Sequence, residues 1–208
     1  MKRLANCVIF FSCCSLWNAN EMRKKDYKID LTKSTTSWHF SLRIKRAVWQ
    51  LCLFPIFYAL PRPVNSWRIG LLRLMGAKIG HTCLIEPRVN ILMPWNLVLG
   101  NYVVIGRGVE IYNYALVEVS DMTVISQRCY LCTGTHDYTH PYMPLIWKPI
   151  TIGSECWIAA EAFLAPGVKI GNGVVVGARS VVTKNLPEWM VCAGNPCAPL
   201  KQRVISTQ

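Results

Sequence analysis

The second half of the chain keeps a six-residue beat. From Ile152 an aliphatic residue returns every six positions, at Ile158, Leu164, Ile170, Val176 and Val182. Gly or Ala follows five of these six (Gly153, Ala159, Ala165, Gly171, Gly177). A small or slim residue comes four positions on, at Cys156, Ala162, Val168, Val174 and Ser180. A helix repeats its apolar face every 3.6 residues and a strand every 2. A period of six with a small residue behind the apolar one fits neither as a long element. It fits short strands separated by bends, the pattern of a parallel β-helix.

The beat extends backward. Ile79, Ile85 and Ile91 keep it, Leu99, Ile105, Ile111 and Val117 resume it after two extra residues, and Ile125 and Leu131 after two more. Thr135 to Pro149 interrupts it. At three hexads per triangular turn, these fifteen hexads make about five turns, stacked roughly 4.8 Å apart. Each turn covers the apolar interior of the next.

Net charge is +12 over 208 residues, with 52% hydrophobic and 16% charged residues. It is uneven: residues 1–80 carry 14 Lys or Arg against 3 acids, and residues 81–208 carry 9 against 8. Nucleic-acid binding needs a basic stripe on a recognisable element, and none is visible. Basic residues beside apolar runs suit an anionic membrane surface, or a solvated helix face.

The front holds two such runs. Leu4 to Trp17, behind Lys2 and Arg3, resembles a secretory signal without a good cleavage site and is short for a bilayer span. Residues 1–21 read either as an over-extended start preceding Met22 or as a signal- or anchor-like segment. Ala47 to Leu60, flanked by Arg43, Lys45, Arg46 and Arg62, is also too short to span; Pro55 should kink it, and Trp49, Phe54, Phe57 and Tyr58 suit an interface. It reads as a cap on the first turn, as a membrane contact, or as both. Trp67 to Met75 reads as a helix entering the first hexad.

Of the ten cysteines, Cys83, Cys129 and Cys156 occupy the slim hexad position and read as reduced core thiols. Cys129, Cys132, His136 and His140 have the residue types of a zinc site. The repeat already accounts for Cys129, however, and the finger spacing is absent. The other reading of the interrupting loop is general-base catalysis by His136, an imidazole held over a groove, its tautomer fixed by Asp137 or a backbone carbonyl.

The stretch Leu131–Arg203 resembles the hexapeptide-repeat O-acetyltransferases, most closely their colanic acid biosynthesis branch. The likeness rests on Cys132-Thr-Gly-Thr-His136-Asp137, Lys148-Pro-Ile-Thr-Ile-Gly153, Cys156-Trp-Ile-Ala159, Ala165-Pro-Gly-Val168, Val176-Gly-Ala-Arg-Ser180, Val182-Thr-Lys184 and Gly194-Asn-Pro196. Leu72 to Gly80 and Pro94-Trp95 extend it. The resemblance implies a left-handed parallel β-helix and a homotrimer with acetyl-CoA in the groove between subunits. It implies His136 as catalytic base, Ala160 and Ala178 along the pantetheine arm, and Thr183, Lys184 and Lys201 toward the nucleotide end. Asn113 and Asp137 fall at acceptor-binding positions. Only Asn113 remains of an Asn pair found in relatives acting on free sugars, and Ala198 and Lys201 stand where those relatives hold Arg.

The expected organisation is thus an N-terminal segment 1–21, a basic, partly helical section 22–77, a β-helix 78–187 with loop 135–149, and a tail 188–208. The expected activity is acetyl transfer from acetyl-CoA to a sugar hydroxyl of an exopolysaccharide intermediate. The acceptor is a sugar or lipid-linked oligosaccharide, met in the cytoplasm or at the inner face of the membrane. A zinc hydratase of the carbonic-anhydrase type, drawing on His81, His136 and His140, and a non-catalytic scaffold are the alternatives.

Overall fold

A computed structural model describes residues 29–34 and 38–206; the expectations for 1–21 lie outside them. Three strands make each turn of a parallel β-solenoid. The first turn is β1 (Lys78–Ile79), β2 (Leu84–Ile85) and β3 (Asn90–Ile91). The second is β4 (Leu97–Leu99), β5 (Val104–Ile105) and β6 (Glu110–Tyr112), and the third is β7 (Val117–Val119), β8 (Val124–Ile125) and β9 (Tyr130–Cys132). Here β10 (Gly134–His136) and β11 (Leu145–Trp147) leave as an antiparallel hairpin. The fourth turn is β12 (Ile150–Ile152), β13 (Trp157–Ile158) and β14 (Phe163–Leu164), and the fifth is β15 (Lys169–Ile170), β16 (Val175–Val176) and β17 (Val181–Val182). Corresponding strands pair into three parallel sheets: β1-β4-β7-β12-β15, the β2-β5-β8-β13-β16 series, and β3-β6-β9-β14-β17. We number the sheets in that order. The second edge of the prism lies between the second and third sheets, and the third edge follows the third sheet.

The hexad residues stack as ladders. One runs Ile79, Leu99, Val119, Ile152, Ile170; another Ile85, Ile105, Ile125, Ile158, Val176; the last Ile91, Ile111, Leu131, Leu164, Val182. All are buried. Two expectations change. Val119, not Val117, stands in register with Leu99; Val117 also points inward, opposite Leu97, because β4 and β7 each bury two residues. The extra pair of residues therefore sits at the corner before β7, not after it. The stack also continues past five turns: Leu186 bridges to Ile170, and β18 (Met190–Gly194) lays Cys192 on Val176. Leu186 follows Val182 by four residues instead of six, and Cys192 then follows Leu186 by six, so the beat slips at the entry to the sixth, partial turn. β19 (Cys197–Gln202) returns antiparallel along β18 and ends the second sheet.

The bottom of the stack is closed by α1 (Phe40–Ala47), α2 (Phe54–Ala59) and α3 (Asn65–Leu74). Between α1 and α2, Val48–Leu53 widens into π-helix. Pro55 lacks an N–H and its ring crowds the carbonyl four residues back, so a wider turn just before it accommodates the proline without a break. α3 ends at Gly76, whose φ of +99° suits glycine. Trp49, Phe57 and Leu72 are fully buried against the first turn. The helices also satisfy one carbonyl at the end of each first-turn strand. Arg73 Nη2 donates to Ile79 O (2.7 Å), Arg68 Nη1 to Ile85 O (2.7 Å) and Trp49 Nε1 to Ile91 O (2.8 Å). A sheet end with no next turn would otherwise leave these groups unpaired.

Candidate active site

The hairpin is an arm on the third edge. It pairs Gly134 with Trp147, Thr135 with Ile146 and His136 with Leu145. Its tip is a run of tight turns: Asp137 N donates to Pro144 O (3.0 Å), and Thr139 N and Oγ1 donate to Asp137 Oδ1 (3.0 and 2.6 Å). The hydrogen bonds from Thr139 hold the Asp137 carboxyl below its ordinary range. Directly opposed residues share a face of a hairpin, so His136, Leu145, Gly134 and Trp147 lie on one side.

The two loop histidines are fixed differently. His136 Nδ1 lies 2.6 Å from Met143 O. A carbonyl only accepts, so Nδ1 carries the proton and Nε2 keeps its lone pair. His140 Nδ1 instead accepts from Tyr142 N (3.1 Å), which occupies its lone pair inside the tip. His136 is exposed at the end of β10. Of the two, it alone offers a free basic nitrogen. The carbonyl of Met143 fixes the tautomer, and Asp137 does not; its carboxylate serves the turn. Nothing in the sequence marks a backbone carbonyl seven residues on.

Aromatic rings brace the arm. Trp38 stacks between Tyr114 (centroids 5.6 Å apart) and Trp147 (5.5 Å), and Tyr112 meets Tyr114 edge-on, their hydroxyls 3.0 Å apart. Burial and the neighbouring Tyr114 hydroxyl raise the Tyr112 phenol well above its usual range. Asp30 N donates to Pro141 O (3.0 Å), so the segment before α1 also lies on the tip. No periodic pattern in the residues marks these contacts.

The other predicted site residues fall on two edges. Ala160 and Ala178 stack on the second edge, where Arg179 N donates to Ala160 O (2.9 Å). Thr183 and Lys184 are exposed on the third edge, two turns beyond the root of the arm, roughly 10 Å along the stack. Lys201 is exposed on β19, opposite Val191. Asn113 must be reassigned. It is fully buried at the corner before β7, where its carboxamide accepts from Met93 N (2.9 Å) and donates to Met93 O (2.8 Å) and Asn96 O (3.1 Å). It ties two turns together and offers nothing to an acceptor. The cysteine–histidine set does not converge either. Cys129 points inward, its thiol donating to Ala159 O (3.0 Å), while His136 stands out on the arm. Among the described residues no three His, Cys, Asp or Glu side chains gather as a metal site.

Residues 149–184 match the family model for the bacterial transferase hexapeptide (six repeats). Over 161 residues, 77% of this chain and 88% of the relative, the chain is 45% identical to the Escherichia coli acetyltransferase WcaF, named for colanic acid biosynthesis. It is 29% identical to the Escherichia coli galactoside O-acetyltransferase over 76% of this chain and 79% of that protein. A solved structure of galactoside acetyltransferase in complex with coenzyme A superposes with a TM-score of 0.72 at 26% identity, covering 83% of this chain and 88% of that one. Ladder register, edge-mounted hairpin and sequence identity over most of both chains agree: this protein belongs to the hexapeptide-repeat acetyltransferases.

Proposed function

We propose that the protein moves an acetyl group from acetyl-CoA to a sugar hydroxyl of an exopolysaccharide intermediate, with His136 as general base. The observation that carries this reading is the 2.6 Å contact between His136 Nδ1 and Met143 O, which in the neutral imidazole leaves the lone pair on Nε2, on an exposed arm. The acceptor hydroxyl gives its proton to Nε2 as its oxygen attacks the thioester carbonyl. A coil backbone N–H stabilises the tetrahedral oxyanion. Collapse expels the CoA thiolate, which recovers the proton from Nε2. The product is an acetyl ester and free CoA, with no acyl-enzyme.

Ala160 and Ala178 suit the pantetheine arm because small side chains let it approach the coil. Thr183, Lys184 and Lys201 suit the nucleotide phosphates. The second-edge alanines and the third-edge arm are separated by the width of the third sheet, which supports a homotrimer in which neighbouring chains complete each site. Asp137 is retained as a contact to the acceptor from the tip. The relatives' names, one for colanic acid biosynthesis and one for galactosides, support a sugar acceptor.

Features of the front support a membrane-surface location. Phe40, Ile44, Val48 and Leu51 are exposed at helical spacing, and Arg43 and Lys45 lie between them. No helix among the described residues is long and apolar enough to cross a bilayer.

The test is His136→Ala, assayed by CoA release with a galactoside acceptor and by light scattering. Turnover should fall by about 10²- to 10⁴-fold with assembly unchanged. Full turnover in an intact assembly would remove His136 from the mechanism. Stoichiometric zinc with hydratase activity and no acetyl transfer would favour the hydratase reading.

A further inference from the structure

We propose that the second edge carries, on the first three turns, a binding site for the phosphate or diphosphate group of a ligand. Assigning that ligand as the acceptor rests on the acetyl-transfer reading above; the anion site itself does not. Two adjoining hollows of about 460 and about 650 Å³ lie between the end of α2 and this edge, and they share Tyr58, Arg88 and Arg107. Arg62 and Arg128 complete a set of four guanidinium groups against the carboxylates of Glu86 and Glu110.

Not all four are free. Arg62 pairs with Glu86 (2.9 Å), and Arg128 pairs with Glu161, which also holds Arg179 (2.6 Å). Arg88 and Arg107 are exposed and make no ion pair or side-chain hydrogen bond among the described residues. They sit on adjacent turns one residue out of register, Arg107 over Pro87 and Gly108 over Arg88, so their backbones are roughly 6 Å apart on the diagonal. Arg88, Gly108 and Arg128 take the same left-handed corner in successive turns (φ 63°, 69° and 58°), with glycine in the middle. A Cβ at Gly108 would meet Arg128 Cγ at 3.4 Å, so the glycine keeps the floor between the arginines open.

Two unpaired guanidinium groups one turn apart fit an anion with oxygens on two centres. Planar, bidentate donors favour phosphoryl oxygens, and charge-assisted bonds of this kind are the strong ones. The site lies on the edge that carries Ala160 and Ala178, and Tyr58 of α2 lines both hollows. A diphosphate held there lies on the same edge as the proposed thioester groove, on the turns that precede it.

The test is calorimetric titration of the full-length assembly, saturated with CoA, with inorganic pyrophosphate at fixed ionic strength. Wild-type protein should bind saturably, Arg88→Ala/Arg107→Ala should bind about tenfold or more weakly, and His136→Ala should bind like wild type. Both arginines are exposed, so melting should not change; Arg107→Gln, which keeps most of the bulk, should give a smaller loss in the same direction. No wild-type binding, or equal binding by the double variant, overturns the site. Retained pyrophosphate binding with full turnover in His136→Ala would keep the site and overturn only the catalytic reading. Geranyl diphosphate binding tighter than pyrophosphate identifies a lipid source, and uridine diphosphate binding tighter identifies a nucleotide source.

Discussion

Replacing Asn113 with Ala separates a structural role from a substrate contact. The carboxamide satisfies both the N–H and the C=O of Met93, a residue 1% exposed, and also Asn96 O. Asn96 Nδ2 answers by donating to Asn113 O (3.2 Å) and Tyr114 O (3.0 Å). Alanine removes these side-chain partners. Each buried group left unpaired costs about 1–3 kcal/mol. Counting only the two Met93 groups, the loss is about 2–6 kcal/mol; about 3 kcal/mol lowers the melting temperature by roughly 6–12 °C for a chain of this size. Asn113→Asp keeps the acceptor for Met93 N but sets a carboxylate against two carbonyls. It should be at least as damaging near neutral pH and recover partly as pH falls and the acid protonates. Calorimetry and urea unfolding read the stability, and acceptor KM is measured on the folded fraction. A melting temperature within about 2 °C of wild type, with acceptor KM raised, would refute this account and return Asn113 to the acceptor site.

Gly134→Ala brings a Cβ to 2.9 Å from Tyr114 Cδ2 and 3.4 Å from Tyr112 Cε1. The arm must lift or the rings must shift, and turnover should fall by about 10²-fold for a displacement near 1 Å, with circular dichroism unchanged; unaltered kcat would mean that the arm's seating is not critical. Burial pushes the Cys129 and Cys192 thiols up to about 11. An unfolded thiol ionises at lower pH than these, so the unfolded state releases protons first and stability falls as pH rises. The loss begins above about pH 8.5 and approaches about 1.4 kcal/mol per pH unit for each thiol up to about 11. Urea midpoints at pH 8 and 10.5 should show the fall, and Cys129→Ala should make it shallower, with the Cys192 share remaining; a flat wild-type profile would contradict the burial of these thiols.

The ladders were legible because each hexad repeats one local instruction: an inward aliphatic residue, then a small residue at the bend. That instruction is readable without knowing what lies above or below. Ile85, Ile105, Ile125 and Ile158 announce themselves by spacing and then stack. Val117 failed as a register marker because β7 buries both Val117 and Val119. Period alone does not choose between two inward residues of one strand. Leu186 and Cys192 went unread because the step from Val182 to Leu186 is four residues, which takes both off the beat. Asn113 was misread because a polar residue beside a predicted site looks like a ligand contact in sequence, whereas here it closes a corner two turns deep.

The same contrast explains what could be read of the site. His136 stood out because the loop breaks a regular pattern, and the resemblance named it. Its chemical state was not in the residue identities. His136 and His140 are four residues apart in one loop, yet a carbonyl at one Nδ1 and an N–H at the other put their protons on opposite nitrogens. The tip turns set by Asp137, Pro141 and Pro144 choose between them, through backbone groups that any residue would supply. Which nitrogen of His136 is turned to the surface with its lone pair free is therefore a property of the hairpin's shape, carried by a short arm on a stiff stack. A solenoid can change chemistry by altering one corner while its ladders stay as they are.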